Sequence, residues 1–249
     1  MDKIAFQTLI EKRFDEESSN SYQPEIDDLY FLYSLVKDKF VTSILEYGSG
    51  WSTYALALAL HENSLNFGDE HRSKIRHPDS FKLLTIDASD KFQKIALKRI
   101  PLELQKNIVT VVSKPVLVEI GGVICHRFEY VPNMAADLIY LDGPDHDQVV
   151  GVINGFEYKE SFTQPMGSDI LMIEPYLWPE TIIVTDGRTA NARFLASRLR
   201  RNWQILEDPF GDRTIFRLHE TPLGSISGEH IDFRIKKSHQ AVFKEAPQR

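Results

Sequence analysis

Five places in this chain put reactive or ligand-binding side chains beside apolar runs. They are the loop Glu46-Tyr47-Gly48-Ser49-Gly50-Trp51-Ser52-Thr53, Asp87, Ser113, the segment Asp142 to His146, and Asp186-Gly187-Arg188. A carboxylate can accept hydrogen bonds from paired hydroxyls, neutralise a cation or take up a proton. His146, with an ordinary histidine pKa of about 6.5, suits general-base work near neutral pH. Gly48 and Gly50 allow a tight turn and close backbone approach to a ligand, and a helix beginning just behind them would offer free N–H groups.

The surrounding pattern indicates how these residues are held. A short β-prone run from Val41 to Leu45 meets the glycine turn and then an alanine- and leucine-rich helix. FKLLTIDAS forms a second strand ending at Asp87, followed by a helix through Phe92, Ile95, Ala96 and Ile100 that Pro101 stops. NIVTVV reads as a third strand. ADLIYLDGP and TIIVTDGR are near-continuous apolar runs with an acid at the carboxyl end, the pattern of parallel strands buried on both faces. The helix TANARFLASRLRR and the pair WQILE and RTIFRLH complete the series. Strands alternating with helices predict a doubly wound α/β sheet, whose ligand sits outside the carboxyl ends of the strands where their order reverses. All five places fall on those ends.

Other segments flank this core. PEIDDLYFLYSLVKDKF predicts a helix, with Pro24 at its entry and acids Glu25, Asp27 and Asp28 in its first turn. KPVLVEIGGVICHRFEYVP predicts a β-hairpin about Gly121 and Gly122, either extending the sheet or meeting a second copy of the chain as a homodimer. HENSLNFGDEHRSKIRHPDS reads as a polar surface insertion, in which His61, His71 and His77 are better explained as solvated than as zinc ligands. The domain reading is an N-terminal helical cap over 1–40, a core over 41–218 with insertions near 61–80 and 114–131, and an arm or tail over 219–249.

Composition narrows the partners. With 249 residues, 42% hydrophobic, 26% charged and a net charge of -7, the chain has an ordinary soluble composition and no basic footprint for a phosphate backbone. No nucleic-acid partner is expected. Cys125 is the one cysteine, which rules out an internal disulfide and suits the reducing cytoplasm. The first twenty residues meet acids before an apolar signal core is complete, and no run approaches the ~18 to 20 apolar residues of a membrane span. Neither export nor a membrane partner is expected.

A dinucleotide fingerprint would want glycine or alanine where Thr53 stands, and no acid two residues before the first glycine. ILEYGSGWST instead resembles the first motif of class I S-adenosylmethionine-dependent methyltransferases, an acid, any residue, then Gly-x-Gly. LIYLDGPDH and TIIVTDGR are similar to the fourth and fifth strand ends of small-molecule O-methyltransferases, including sugar and antibiotic-tailoring enzymes. The resemblance covers roughly Pro24 to Leu218 by order of elements. It implies a Rossmann-like, mostly parallel seven-stranded sheet with an inserted β-hairpin. It also implies a cofactor site made from Glu46, Gly48, Ser49, Gly50, Ser52, Thr53, Asp87, Ala88 and Asp142. Glu46 would act on the cofactor ammonium and Asp87 on the ribose hydroxyls, with helix capping the alternative for Asp87.

The reaction so implied is methylation of an oxygen on a small polar acceptor, with Asp142, His146 and Asp186 as catalytic residues. In metal-dependent members the two acids hold a divalent ion such as Mg2+, and Asp142 and Asp186 match. Gly187 replaces the next ligand and offers no side-chain oxygen. Arg188 either holds an anionic substrate group or pairs with an acid. Met166, Met172, Tyr176, Leu177 and Trp178 stand where acceptor pockets are built in the resemblance, as core, lid or acceptor contacts. The rival readings are a catalytically idle cofactor-binding module and a nicotinamide-dinucleotide oxidoreductase.

Overall fold

In the computed structural model, which describes residues 1–15, 23–158 and 166–245, the central strands are β1 (Ser43–Tyr47), β2 (Lys82–Asp87), β3 (Ile108–Val112) and two that close a separate hairpin, β4 (Pro115–Ile120) and β5 (Val123–Phe128). They continue with β6 (Leu138–Leu141), β7 (Ile182–Asp186), β8 (Trp203–Asp208) and β9 (Arg213–Leu218). Seven of them form one sheet in the order β3-β2-β1-β6-β7-β9-β8. β9 alone runs antiparallel to its neighbours β7 and β8. The fold is Rossmann-like and α/β. Its order reverses between β1 and β6, which pair in parallel, so a crevice opens beyond their carboxyl ends.

Among the described residues the helices around the sheet are α1 (Lys3–Asp15), α2 (Ile26–Asp38), α3 (Trp51–Lys74), α4 (Asp90–Arg99), α5 (Leu102–Gln105), α6 (Asp169–Ile173), α7 (Thr189–Arg198) and α8 (Ser225–Glu245). Strand alternation divides the core between the two faces. Ile44, Leu83, Leu138, Tyr140, Ile182 and Val184 pack with α1, α2 and α3. Leu45, Leu84, Ile86, Ile139, Leu141 and Ile183 pack with the hairpin, α6 and α7. The hairpin therefore does not extend the sheet. It is a two-stranded sheet of its own, with Cys125 and Phe128 buried against the second face.

Two segments differ from their sequence reading, for one reason. The stretch taken as a polar insertion near 61–80 is helical as far as Lys74, as the second half of α3. Its buried helical positions, Asn63, Gly68 and His71, continue the helical spacing from Leu60, but none carries an apolar side chain, so the period is hidden. Asn63 donates to the carbonyls of Val36 and Val41, both 3.0 Å away, and so fastens α3 to the end of α2. The expected C-terminal arm is likewise a helix, α8, which buries His230, Arg234 and Lys237 beside Ile231 and Phe233.

α8 docks on Asp137, at the amino end of β6. Asp137 accepts from Thr42 N and Oγ1 at 2.8 and 2.9 Å, from His230 Nε2 at 2.8 Å and from Arg234 Nη1 at 2.8 Å. Burial alone would raise its pKa, but Arg234 and His230 reverse this and hold the carboxylate well below its ordinary range. Asp137→Asn keeps an acceptor oxygen yet leaves the Arg234 charge buried without its counter-ion. It is expected to cost about 3 kcal/mol of stability. Urea unfolding at pH 7 reads this as a lower midpoint with an unchanged slope.

Candidate functional site

The crevice beyond β1, β2, β6 and β7 is a cleft of about 540 Å3, within the size range of small-ligand sites. Among the described residues no helix is long and apolar enough to cross a membrane. Its walls come from strand ends and the turns that follow them, with the start of α2 and one face of α4 beside them.

The glycine loop forms the floor. Gly48 has φ +99, and a Cβ there would stand 2.9 Å from Gly143 N and 3.1 Å from the Asp142 carbonyl carbon. A Cβ on Gly143 would in turn lie 2.8 Å from Gly48 Cα. The turns after β1 and β6 thus touch backbone to backbone, and the fold itself requires Gly48. Gly50 differs, because a Cβ there would meet nothing nearer than Ser52 Oγ at 4.0 Å. Packing within the chain does not require that glycine, and its open side belongs to the cleft.

Glu46 lies behind the loop. It has no exposed surface and does not line the cleft. It accepts from Ser52 Oγ at 2.7 Å and Thr53 Oγ1 at 2.8 Å, while Thr53 Oγ1 also accepts from Gly50 N at 3.0 Å. Burial pushes the Glu46 carboxyl up to about 7 against the opposing pull of those hydroxyls. In this structure Glu46 and Thr53 hold the loop in shape, whereas Gly48, Ser49, Gly50 and Ser52 reach the cleft.

Asp87 closes the next wall with Ala88. Its two oxygens each accept one backbone N–H, from Ser49 and from Ser89, both at 2.7 Å. Burial raises its pKa and the two N–H groups oppose the rise. The helix cap is a different residue, since Ser89 Oγ accepts from Phe92 N at the start of α4. A carboxylate has about four lone-pair sites, so Asp87 keeps acceptor capacity beyond these bonds.

On the β7 side the cleft is acidic. Asp142 is exposed on the cleft wall. Partial desolvation by the protein around the cleft, then the Asp186 charge, raises its carboxyl pKa to about 7. Asp186, also raised by burial, accepts from Tyr140 Oη at 3.1 Å. Glu25 and Asp28 join from the start of α2, and the hydrogen bond between them raises the Glu25 pKa. Sequence reading took these two acids as complements to the helix dipole; their only signal was the Pro24 helix entry.

Other candidates fall elsewhere. His146 is exposed on the short turn His146–Gln148, and although Asp145 and Gln148 line the cleft, His146 does not. Arg188 donates to the backbone carbonyls of Asp142 at 2.7 Å and Pro144 at 3.2 Å, so it clamps the turn after β6. Met166, Met172, Tyr176, Leu177 and Trp178 are all outside the cleft lining. Leu177 is core, Tyr176 is exposed, and Trp178 packs on His77 and His230. Among the described residues no group of three or more His, Cys, Asp or Glu is arranged to hold a metal ion. Gly187 contributes only backbone, donating to the Asp212 carbonyl at 2.7 Å.

No family of known proteins matches the chain, and no curated protein sequence does. Solved structures similar to it include the O-methyltransferase TomG from Streptomyces achromogenes, involved in tomaymycin synthesis and in complex with SAM. That likeness has 14% identity, covers 88% of this chain and 92% of that one, and has a TM-score of 0.46. The SAH-bound methyltransferase PaMTH1 of Podospora anserina has 16% identity, 88% of its chain matched to 87% of this one, and a TM-score of 0.47. An O-methyltransferase from Bacillus cereus in complex with SAH has 14% identity, 92% of its chain matched to 88% of this one, and a TM-score of 0.45. What the cleft can do is read from its own residues.

Proposed function

We propose that the chain is a methyltransferase that uses S-adenosylmethionine to methylate an oxygen of a small polar acceptor in the 540 Å3 cleft. The observation that carries this reading is the meeting, across one cleft, of the Gly48-Ser49-Gly50 turn after β1 and the carboxylate of Asp87 after β2. Open space beside Gly50, first-turn N–H groups of α3 and the free lone pairs of Asp87 fit the carboxylate and ribose ends of that cofactor. When bound, it supplies a methyl carbon already activated on a sulfonium. The chain then has to hold the acceptor oxygen in line and accept its proton.

Asp142 suits the second task, since a carboxyl near pKa 7 both accepts a proton and stays largely ionised just above neutrality. His146 is outside the lining, so the role passes to Asp142. Asp186 adds negative potential that favours a cationic sulfonium. Among the described residues the donor set does not make a three-ligand metal site. A single, buried free thiol at Cys125 supports placing the protein in the reducing cytoplasm.

Calorimetry tests the reading. S-adenosylhomocysteine is expected to bind and NAD to give no heat. Asp87→Ala is expected to weaken binding by about 1 to 3 kcal/mol, the scale of leaving hydrogen-bonding groups unpaired. Because the substitution also frees Ser49 N and Ser89 N, the melting temperature should fall by a few degrees in the same variant. Tight NAD binding with no response to S-adenosylhomocysteine would reject the proposal.

A further inference from the structure

At the foot of the sheet, at the end of β6 opposite the cleft, three histidines from different segments meet around Asp137. His230 of α8 donates through Nε2 to Asp137 Oδ1 at 2.8 Å, which makes its Nδ1 the acceptor when the ring is neutral. That Nδ1 lies 3.4 Å from His71 Nε2 on α3, which must then carry the hydrogen. His71 Nδ1 is left as a bare acceptor, buried and without a partner, between the rings of Phe81 and Phe233 at 5.3 and 5.2 Å. His77 lies against His230 with ring centroids 4.8 Å apart. Its Nδ1 accepts from Asp79 N at 3.2 Å and its Nε2 faces the Ala135 carbonyl at 3.3 Å.

The arrangement suits neutral rings at His71 and His77. A second proton on His71 makes its Nδ1 an N–H donor of a charged ring, buried with no acceptor to receive it, and an unsatisfied buried group costs more when it is charged. A proton added to His77 places its Nδ1–H against the Asp79 N–H. The charges nearby are already committed: Asp137 to Arg234 at 2.8 Å, and Glu70 to Lys237 and Lys74 at 2.7 and 2.9 Å. Arg72 on α3 adds positive charge, and Asp79 adds negative charge beside His77. We propose that α8 is fastened by a histidine latch that holds only while His71 and His77 are neutral, so that mild acid releases the helix while the sheet and the cleft remain folded.

Burial first holds His71 at about 4 against the opposing pull of Asp137, and burial likewise holds His77 below its ordinary value against Asp137 and Asp79. The sign follows from proton counts. Undocked, His71 returns to about 6.5 and binds more protons than when docked, so docking weakens as pH falls from about 6.5 to about 4. Asp137 acts in the same direction, because its carboxyl is held low by Arg234 and His230 and takes up protons more readily once α8 leaves.

Hydrogen exchange of the full chain, corrected for intrinsic rates, tests the latch. Between pH 7.5 and pH 5, amides of α8 should lose protection roughly thirtyfold through His71 alone, while β1 and β6 keep theirs. Unchanged protection of α8, loss shared equally by β1 and β6, or an α8 midpoint outside pH 4 to 6.5 overturns the proposal, and this series needs no variant. In His71→Gln the amide N–H can still donate to His230 Nδ1 and does not titrate, so α8 should stay more protected at pH 5 than in the parent chain. The same acid loss in that variant also overturns it.

Discussion

Gly48→Val is expected to give a chain that no longer binds S-adenosylhomocysteine. A side chain at φ +99 is strained by about 1 to 3 kcal/mol, and more for a β-branched residue. Its Cβ would also stand 2.9 Å from the Gly143 backbone, which has no flexible end to move aside. The turns after β1 and β6 must separate, and both Gly50 and Asp142 move with them. Gly50→Ala is the informative companion, since its Cβ meets nothing nearer than 4.0 Å in the chain. It should melt near the parent temperature and still lose affinity, because the new methyl takes ligand space. Calorimetry with parallel melting curves separates the two effects. Undiminished binding by Gly50→Ala would show that the ligand does not approach that face of the loop.

Much of the framework was legible because it is written in apolar periodicity. β6 and β7 lie in near-continuous apolar runs, β1 and β2 in short β-prone ones, and their shared end was marked by Asp87, Asp142 and Asp186. Legibility failed where burial is polar. Asn63 and His71 on α3, and His230 and Arg234 on α8, are buried through hydrogen bonds and charge pairs, so a hydropathy pattern reads them as surface. Their partners, Val36, Val41 and Asp137, are distant in sequence, and no local rule names them.

The site followed the same division. Residue type identified which side chains reach strand ends, but it could not tell a residue facing the cleft from one supporting it. Glu46 and Thr53 carry the right chemistry and point into the protein, where they brace the loop by hydrogen bonds. Arg188 was legible as a cation at a strand end, yet its forked guanidinium grips two carbonyls of the turn after β6. Glu25 and Asp28 reach the cleft only because α2 happens to begin beside β7, a tertiary fact with no local signature.

Asp142→Asn is expected to lower turnover by about a hundredfold to ten-thousandfold, the contribution of a positioned general base, with cofactor affinity nearly unchanged. An amide keeps the size and the cleft position but cannot accept the proton. The pH dependence supplies the stronger evidence. In the parent chain kcat/KM should rise about tenfold per pH unit on the acid side and level off above a pKa of about 7, because only ionised Asp142 is competent. Asp186→Asn removes the nearby charge that helps to raise that pKa, so the rise should shift to lower pH. His146→Ala should leave the profile in place, since His146 does not line the cleft. A chelator should leave it in place as well, because Asp142 and Asp186 lack a third ligand among the described residues. If the acid limb disappears in His146→Ala and persists in Asp142→Asn, the base has been misassigned. If turnover falls with chelator and returns with magnesium, the two carboxylates act on a metal ion and the raised pKa of Asp142 plays no part in the reaction.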